Sequence, residues 1–147
     1  MCFKAKYNRA ESMNSFNSND IKILIVEDDA FMQAILKEYL SGTYEVEICA
    51  NGMAAFATLI KGNIPDLILT DLNTPLLNGM ELIEQMKVSD FFKIIPIIIL
   101  SSEESTTKKI ECLNRGADDF MVKPFNPEEL KARINVILRR TGKLSYQ

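Results

Sequence analysis

Residues 66–88 read DLILTDLNTPLLNGMELIEQMKV, and this stretch decides the fold. Its first five residues, DLILT, form a short apolar run of the kind found in buried strands. A segment with Pro, Asn and Gly follows, and MELIEQMKV, residues 80–88, then places apolar side chains at helical spacing. The stretch therefore predicts a strand, a loop and a helix, with Asp71 directly after the strand.

The same strand-then-helix pattern occurs four more times along the chain. The apolar runs ILIV, LIL and PIIIL are typical of central strands that are covered on both faces. Because parallel strands need right-handed crossovers, five such units predict an α/β fold, a single doubly wound five-stranded parallel sheet. The other four units are IKILIV (21–26) with AFMQAILKEYL (30–40), YEVEIC (44–49) with MAAFATLIKG (53–62), IPIIIL (95–100) with a helix over 105–114, and DDFMV (118–122) with PEELKARINVILRR (127–140).

The chain of 147 residues has the length of one ordinary domain. Residues 1–20 are rich in Asn and Ser and lack hydrophobic periodicity, so we expect a flexible polar tail there. We expect the domain to span residues 21–140. Residues 141–147 are then a C-terminal tail, too short to form an output domain.

The composition excludes several classes of protein. Seventeen Lys and Arg against 20 Asp and Glu give a formal net charge of −3, the wrong sign for direct binding of nucleic acid. Because the sequence shows neither a signal-peptide core nor a membrane-length apolar segment, we expect a cytoplasmic protein without membrane contact. The three Cys are not spaced for zinc, and we expect them to be thiols in a reducing compartment.

The chain contains no His, which excludes Ser-His-Asp and Cys-His catalysis, His-ligated zinc and a phosphohistidine on this chain. Any chemistry must use carboxylates, hydroxyls and Lys. In an open parallel sheet, ligands bind beyond the carboxyl ends of the strands, so residues that follow different strands are expected to form one cluster. The candidates are Glu27, Asp28 and Asp29 after the first strand, Asp71 after the third, Ser101 after the fourth and Lys123 after the fifth.

Clustered carboxylates either take up protons or bind a hard divalent cation, and at neutral pH we favour Mg²⁺. With the metal polarising a phosphoryl group, Asp71 can act as the nucleophile, and Lys123 and the Ser101 hydroxyl can stabilise the phosphoryl oxygens. Each residue also has an ordinary structural interpretation. The acidic triplet suits a helix N-terminus, Asp71 a turn, Ser101 a helix cap and Lys123 a surface loop.

The segments around these residues resemble one known family, the receiver (phosphoacceptor) domain of two-component response regulators. The resemblance covers about residues 21–140. It rests on ILIVEDD (23–29), LILTDLNTPLLNGMEL (67–82), PIIILSS (96–102) and GADDFMVKPF (116–125). It implies a flavodoxin/CheY-like (βα)5 sheet with strand order 2-1-3-4-5.

The resemblance also assigns roles to single residues. Asp71 is the phosphoacceptor. Ser101 takes the place of the family's Thr or Ser, and Lys123 takes the place of its Lys, which precedes a cis Pro124. Ser101 and Phe120 form the switch pair, with Phe120 in a position that family members usually fill with Tyr or Phe. The metal site is formed by Glu27 acting mainly through water, Asp28 as a direct ligand, Asp71, and the backbone carbonyl of Asn73, with Mg²⁺ as the cofactor and Mn²⁺ able to replace it.

Further expectations concern signal lifetime and partners. The resemblance also implies that Asn73 and Glu103, two residues beyond the phosphoacceptor and the hydroxyl residue, tune dephosphorylation, although both also suit turns and helix starts. The expected phosphoryl donor is a histidine kinase or a His-phosphotransfer protein. The expected reader is an unidentified output protein that contacts an α4-β5-α5 surface. Lys109, Asp119, Glu129 and Arg133 resemble residues that pair between protomers in the transcription-factor subclass of receivers, although they also suit a solvated charged face. At most a weak, phosphorylation-enhanced homodimer through the same surface is therefore expected.

Parts of the sequence also suggest three other functions. Asp71-Leu72-Asn73-Thr74 comes within one residue of the Asp-x-Asp-x-Thr motif of haloacid-dehalogenase-like phosphatases, but Asn73 cannot serve as their general acid. Flavodoxin-like FMN binding is supported by the fold class alone, which is weak support. The main alternative function is that of a receiver-shaped interaction module that is never phosphorylated. Such a module would not need Asp28, Asp71, Ser101 and Lys123 together.

Overall fold

The computed structural model describes residues 20–145. Strands and helices alternate throughout this part of the chain, as the sequence predicts, and α1 and α5 have the predicted bounds. The elements are β1 (Lys22–Val26), α1 (Ala30–Leu40), β2 (Glu45–Cys49), α2 (Gly52–Ile60), β3 (Leu67–Asp71), α3 (Gly79–Lys87), β4 (Ile97–Ser101), α4 (Thr106–Arg115), β5 (Asp119–Val122) and α5 (Pro127–Arg140).

The five strands form one parallel sheet in the order β2-β1-β3-β4-β5, which confirms the predicted topology. The register pairs Val26 with Thr70, Asp71 with Leu100, and Ser101 with Val122. The carboxyl ends of β1, β3, β4 and β5 therefore lie along one edge. Asp71 and Ser101 are the last residues of their strands rather than the first residues after them, so the sheet itself fixes their backbones.

The core has two apolar layers, one on each face of the sheet. Adjacent strand residues point to opposite faces, so Leu24 and Val26 pack with α2, α3 and α4, whereas Ile23 and Ile25 pack with α1 and α5. This double coverage explains why the central strands are apolar at every position.

Each helix begins at a polar cap. The Asn78 side chain accepts a hydrogen bond from Glu81 N–H while the Glu81 carboxylate accepts one from Asn78 N–H, so α3 starts with a capping box directly after the β3–α3 loop. Pro127 lies in the first turn of α5, and Arg139 and Arg140 lie in its last turn, as predicted. The N-cap residues are Asp29, Asn51, Asn78, Ser105 and Asn126.

The predicted N-terminal tail lies almost entirely outside the described residues, and the predicted C-terminal tail lies partly outside them. Residues 1–19 of the predicted polar tail, and residues 146 and 147, are not described. Within the described part of the predicted C-terminal tail, Leu144 packs against the α1–α5 layer and the Lys143 ammonium lies 3.1 Å from an Asp66 carboxylate oxygen. The boundaries at residues 21 and 140 remain predictions.

Two further sequence expectations concern the cysteines and the membrane. Cys112 is a buried free thiol, but Cys49 is disulfide-bonded, so the expectation of thiols fails at Cys49. Over residues 20–145 no helix combines the length and the apolar character that a membrane crossing needs.

Candidate functional site

Three carboxylates meet at the carboxyl edge of the sheet. Glu27 and Asp28 follow β1, and Asp71 ends the neighbouring strand β3. One carboxylate oxygen from each of the three residues lies within 4.8 Å of the others. The parallel register brings them together, because Val26 pairs with Thr70 and the chains leave the sheet at the same level.

The acidic triplet of the sequence divides into three different environments. Glu27 is only 2% exposed, and its carboxylate accepts hydrogen bonds from the Lys123 ammonium (2.8 Å) and from Asp29 N–H (3.3 Å). Asp28 is exposed, and one of its carboxylate oxygens lies within 4.8 Å of carboxylate oxygens of Glu27 and Asp71. Asp29 caps α1 by accepting from Met32 N–H at 2.9 Å. The ordinary helix-start interpretation thus describes Asp29, whereas Glu27 and Asp28 belong to the cluster.

Lys123 connects the cluster to β5. Its ammonium nitrogen lies 2.8 Å from Glu27 Oε1 and 3.4 Å from Asp71 Oδ1, and its side chain is 16% exposed. The peptide bond between Lys123 and Pro124 is cis, as the resemblance implies, and Lys123 N–H donates to the Ser101 carbonyl at 2.7 Å. Lys123 is therefore not an ordinary surface lysine.

The electrostatics of the cluster follow from burial and pairing. Burial raises the pKa of Glu27 above its usual value, against the opposing effect of the hydrogen bonds from Lys123 and Asp29. Burial works to lower the pKa of Lys123, but its hydrogen bond with Glu27 and the charge of Asp71 outweigh this effect and raise it. Lys123 therefore stays protonated and supplies the positive charge of the site at neutral pH.

Ser101 lies inside the sheet at the edge of the cluster. Its side chain is fully buried, and its hydroxyl oxygen accepts a hydrogen bond from Glu103 N–H at 3.0 Å. Ser105, not Ser101, caps α4. Because the Ser101 oxygen is the acceptor in that bond, its O–H is left to donate elsewhere. Phe120, in the neighbouring strand β5, is buried at 4% exposure.

Asn73 and Glu103 are exposed in the loops that follow β3 and β4, at the same edge of the sheet as the carboxylates. Three of the four charged residues expected on α4-β5-α5 pair with one another within the chain. Arg133 lies 3.0 Å from the Asp119 carboxylate and 3.1 Å from that of Glu129.

Sequence reasoning missed the residues that hold the β3–α3 loop in place. The Leu77 carbonyl accepts from the Thr74 hydroxyl at 2.8 Å and from Gly52 N–H at 3.0 Å. A Cβ on Gly79 would lie 2.8 Å from the Asp71 carbonyl oxygen, so only glycine lets α3 begin this close to the end of β3. The Pro-Leu-Leu-Asn-Gly sequence signals a turn but not these contacts.

Sequence reasoning also missed Gln33. Its side-chain N–H donates to the Glu27 carbonyl at 2.6 Å and ties the first turn of α1 to the end of β1. Its position four residues after the cap Asp29 was the available signal, because side chains at that spacing face back toward the cap.

The donor set matches a hard divalent cation. All three acids offer oxygen, the ligand that Mg²⁺ prefers, and Mg²⁺ is usually held by one or two carboxylates with waters and phosphate oxygens completing its shell. Glu27 is already bonded to Lys123, which leaves Asp28 and Asp71 as the more available carboxylates. The arrangement can therefore hold a cation next to an ammonium and a buried hydroxyl.

Comparisons with known proteins agree with this geometry. A family model described as "Response regulator receiver domain" matches residues 23–135. The transcriptional regulatory protein ResD of Bacillus subtilis (strain 168) is 35% identical over 130 residues, which cover 88% of this chain and 52% of ResD. The chemotaxis response regulator CheY4 of Vibrio cholerae has a TM-score of 0.73 and 34% identity, covering 80% of this chain and 98% of that structure. The structure of the Mn²⁺-bound response regulator Rcp1 has a TM-score of 0.69 and 27% identity, and the match covers 81% of this chain and 92% of that structure.

The chain belongs to the response regulator receiver domain family. It spans about half the length of the curated relatives it matches, such as ResD. It is a signalling module of two-component systems, in which receiver domains act between histidine kinases and outputs. ResD is a transcriptional regulatory protein by name.

Proposed function

We propose that Asp71 accepts a phosphoryl group from a histidine kinase or a His-phosphotransfer protein. An Asp71 carboxylate oxygen forms the new P–O bond while the P–N bond of the donor breaks and the donor imidazole leaves. The observation that carries this proposal is the Lys123 ammonium, which lies 3.4 Å from Asp71 and 2.8 Å from Glu27. It places a fixed positive charge where the phosphoryl oxygens would bind.

Mg²⁺ is the proposed cofactor, and Mn²⁺ is expected to replace it. Asp28, Asp71 and the Asn73 backbone carbonyl would hold the ion, and Glu27 would act mainly through water. The Glu27–Lys123 ion pair supports this division, because it occupies the Glu27 carboxylate. The Mn²⁺ in the structure of the relative Rcp1 supports the choice of a hard divalent cation. Such an ion supplies Lewis-acid polarisation of the incoming phosphoryl group.

Ser101 and Phe120 are the proposed switch. On phosphorylation, the Ser101 hydroxyl donates to a phosphoryl oxygen and moves toward Asp71, and Phe120 turns into the space that it leaves. This changes the α4-β5-α5 surface, which an output protein reads. Glu103 N–H donates to the Ser101 hydroxyl oxygen at 3.0 Å, and the proposed movement of Ser101 would exchange this contact for one with the phosphoryl group.

Asn73 and Glu103 are proposed to set the rate of autodephosphorylation. Water must attack the phosphorus in line with the Asp71 oxygen, and the side chains around that path control its access. Both residues are polar and exposed at this edge, which supports rapid phosphoryl loss. We expect Asn73→Arg and Glu103→Lys to slow phosphate release, and equal rates in all three proteins would contradict the assignment.

The remaining proposals concern context. Residues 21–140 form the receiver domain, the protein acts in the cytoplasm, and this domain binds neither nucleic acid nor membrane directly. Because Arg133 is already paired with Asp119 and Glu129 within the chain, we expect at most a weak homodimer through α4-β5-α5. Sedimentation that shows a tight dimer without phosphorylation would contradict this.

The function is tested by intact mass after incubation with acetyl phosphate and Mg²⁺. The wild type should gain one phosphoryl group, and a chelator should abolish the gain. Asp28→Asn should lower the rate at least tenfold, whereas Asp29→Asn, which changes only the helix cap, should retain it. No gain in any protein would favour the unphosphorylated interaction module, and equal rates for the two variants would contradict the metal assignment.

The switch is tested separately by NMR with beryllofluoride and Mg²⁺, which mimic the phosphoryl group. Amide shifts should extend from the carboxylate cluster through residues 102–122. Shifts confined to the cluster would contradict the proposed movement of Ser101 and Phe120.

A further inference from the structure

Helix α4 is packed into the fold near its C-terminal end. Among the described helices, α3 buries five residues and α5 buries four, whereas α4 buries Cys112 alone. Cys112 lies in the apolar layer that also contains Met86 of α3. Every residue from 102 to 107, by contrast, is exposed. The two ends of α4 are therefore held to different degrees, and the start of the helix lies largely in solvent.

Two contacts join the C-terminal end of α4 to α3. The Arg115 guanidinium donates to the Glu84 carboxylate of α3, and it also lies 3.7 Å from the Glu111 carboxylate of its own helix. Gly116, which ends α4 with a φ of +122°, lies against the stem of Lys87, because a Cβ there would be 2.6 Å from Lys87 Cε. Glu84 and Lys87 are three residues apart and share one face of α3. We term these two contacts the α3–α4 pivot.

The start of α4 is joined to the proposed switch instead. Glu103 N–H donates to the Ser101 hydroxyl oxygen at 3.0 Å, and Glu103 lies two residues before Ser105, the N-cap of α4. If Ser101 moves toward a phosphoryl group on Asp71, this hydrogen bond is lost. The exposed segment that leads into α4 is then released from the end of β4, while the contacts of α4 with α3 are untouched.

We propose that α4 rotates about the α3–α4 pivot when the switch operates, with its C-terminal end fixed on α3 and its start moving with residues 102–105. This inference rests on the proposed phosphorylation of Asp71. It assigns Glu84 and Lys87 as positioning residues, which act through the end of α4 and do not touch the phosphoryl group. The change in the output surface is therefore largest over residues 102–110.

The exposure of the pivot sets the size of the expected effect. The side chains of Arg115 and Glu84 are 47% and 44% exposed. Ion pairs at such positions contribute little to stability, which corresponds to about a two- to fivefold change in a local opening equilibrium. Glu84→Gln should therefore loosen the C-terminal end of α4 and leave the fold intact.

Amide hydrogen exchange tests the pivot without any phosphorylation. In the wild type, amides of residues 113–116 should exchange at least about fivefold more slowly than those of residues 109–111, because only the former lie at the α3 end. In Glu84→Gln, exchange at 113–116 should rise about two- to fivefold. The matched control is Lys108→Gln, which removes the 3.4 Å ion pair between Lys108 and Glu111 within α4, at similar exposure. It should leave exchange at 113–116 unchanged.

NMR with beryllofluoride and Mg²⁺ tests the rotation itself. In the wild type, the mean change in amide shift over residues 102–110 should be at least about threefold larger than over residues 112–117. In Glu84→Gln the change over 112–117 should at least double, because this end of α4 is no longer fixed, while the shifts in the carboxylate cluster stay as in the wild type. Lys108→Gln should keep the wild-type pattern.

Three outcomes would overturn the pivot while leaving the proposed function in place. They are equal exchange along α4 in the wild type, the same exchange at 113–116 in Glu84→Gln and Lys108→Gln, and beryllofluoride shifts over 112–117 as large as those over 102–110. A wild type in which beryllofluoride shifts no amide of the carboxylate cluster would instead contradict the proposed phosphorylation of Asp71, and the rotation with it.

Discussion

Both edges of the sheet carry aspartates, but these residues have different environments. At the amino edge, Asp66 accepts from Lys22 N–H and Asp118 accepts from Ile97 N–H, both at 2.8 Å. These carboxylates join neighbouring strands at their starts. At the carboxyl edge, Asp28 and Asp71 lie close to each other and to Glu27, next to the Lys123 ammonium.

The comparison teaches that the residue type does not determine the role of an acid. A carboxylate whose oxygens are bonded to backbone N–H groups supports the fold, because its removal leaves those donors unpaired. Acids that face one another repel, and this repulsion is relieved by a cation. Removing an acid at the amino edge should therefore lower the stability of the fold and keep phosphoryl uptake, whereas removing an acid at the carboxyl edge should lower phosphoryl uptake.

The largest expected difference in stability is between two lysines that pair with acids at opposite edges. Lys123→Ala leaves Glu27, which is 2% exposed, without its ion-pair partner, and loss of one partner of a buried pair costs about 3–5 kcal/mol. Lys143 is half exposed beside Asp66, so Lys143→Ala should cost less than about 1 kcal/mol. Urea denaturation measures both, and equal losses would mean that the two edges do not differ in this way.

A middle-sized effect is expected at the amino edge. Asp118→Ala removes the acceptor of Ile97 N–H and should lower the free energy of unfolding by about 1–3 kcal/mol. Phosphoryl uptake from acetyl phosphate should stay within twofold of the wild type, because Asp118 precedes β5 at the amino edge of the sheet and Asp71 ends β3 at the carboxyl edge. Uptake that falls in a fully folded Asp118→Ala protein would break the distinction between the edges.

A smaller effect than at Asp118 is expected at Tyr44, which directly precedes β2 and contacts α5. Its hydroxyl donates to the Asn135 side chain, and burial raises its pKa from 10.0 to about 12. Between these values the folded chain holds a proton that the unfolded chain has lost, so this contribution is complete below pH 10 and is lost as the pH rises toward 12. Tyr44→Phe should cost about 1 kcal/mol at pH 7.

The alkaline stability profile checks the Tyr44 prediction. The free energy of unfolding of Tyr44→Phe should fall less steeply than that of the wild type between pH 10 and 12. Parallel profiles would show that Tyr44 titrates alike in both states.

The sequence predicts the fold well because its signals are local and repeated. Apolar runs, helical spacing and caps such as Asn126-Pro127 each specify one element, and the crossover rule combines the elements into a parallel sheet. The grouping of Glu27, Asp28, Asp71 and Lys123 is also predictable, because residues that follow parallel strands meet at one edge.

The details of the site depend on contacts between distant residues and are therefore less predictable. The sequence treats Glu27, Asp28 and Asp29 as one acidic run, but burial, exposure and helix capping separate them. The close approach of Gly79 to the Asp71 carbonyl depends on how α3 packs.

The most direct test measures phosphoryl stoichiometry for Asp71→Asn and Asp66→Asn side by side, with acetyl phosphate, Mg²⁺ and a folding check by circular dichroism. Both variants change one carboxylate to an amide on the same strand or directly before it. We predict one phosphoryl group on the wild type and on Asp66→Asn, and none on Asp71→Asn. Full phosphorylation of Asp71→Asn, or its loss in folded Asp66→Asn, would contradict the assignment of function to the carboxyl edge.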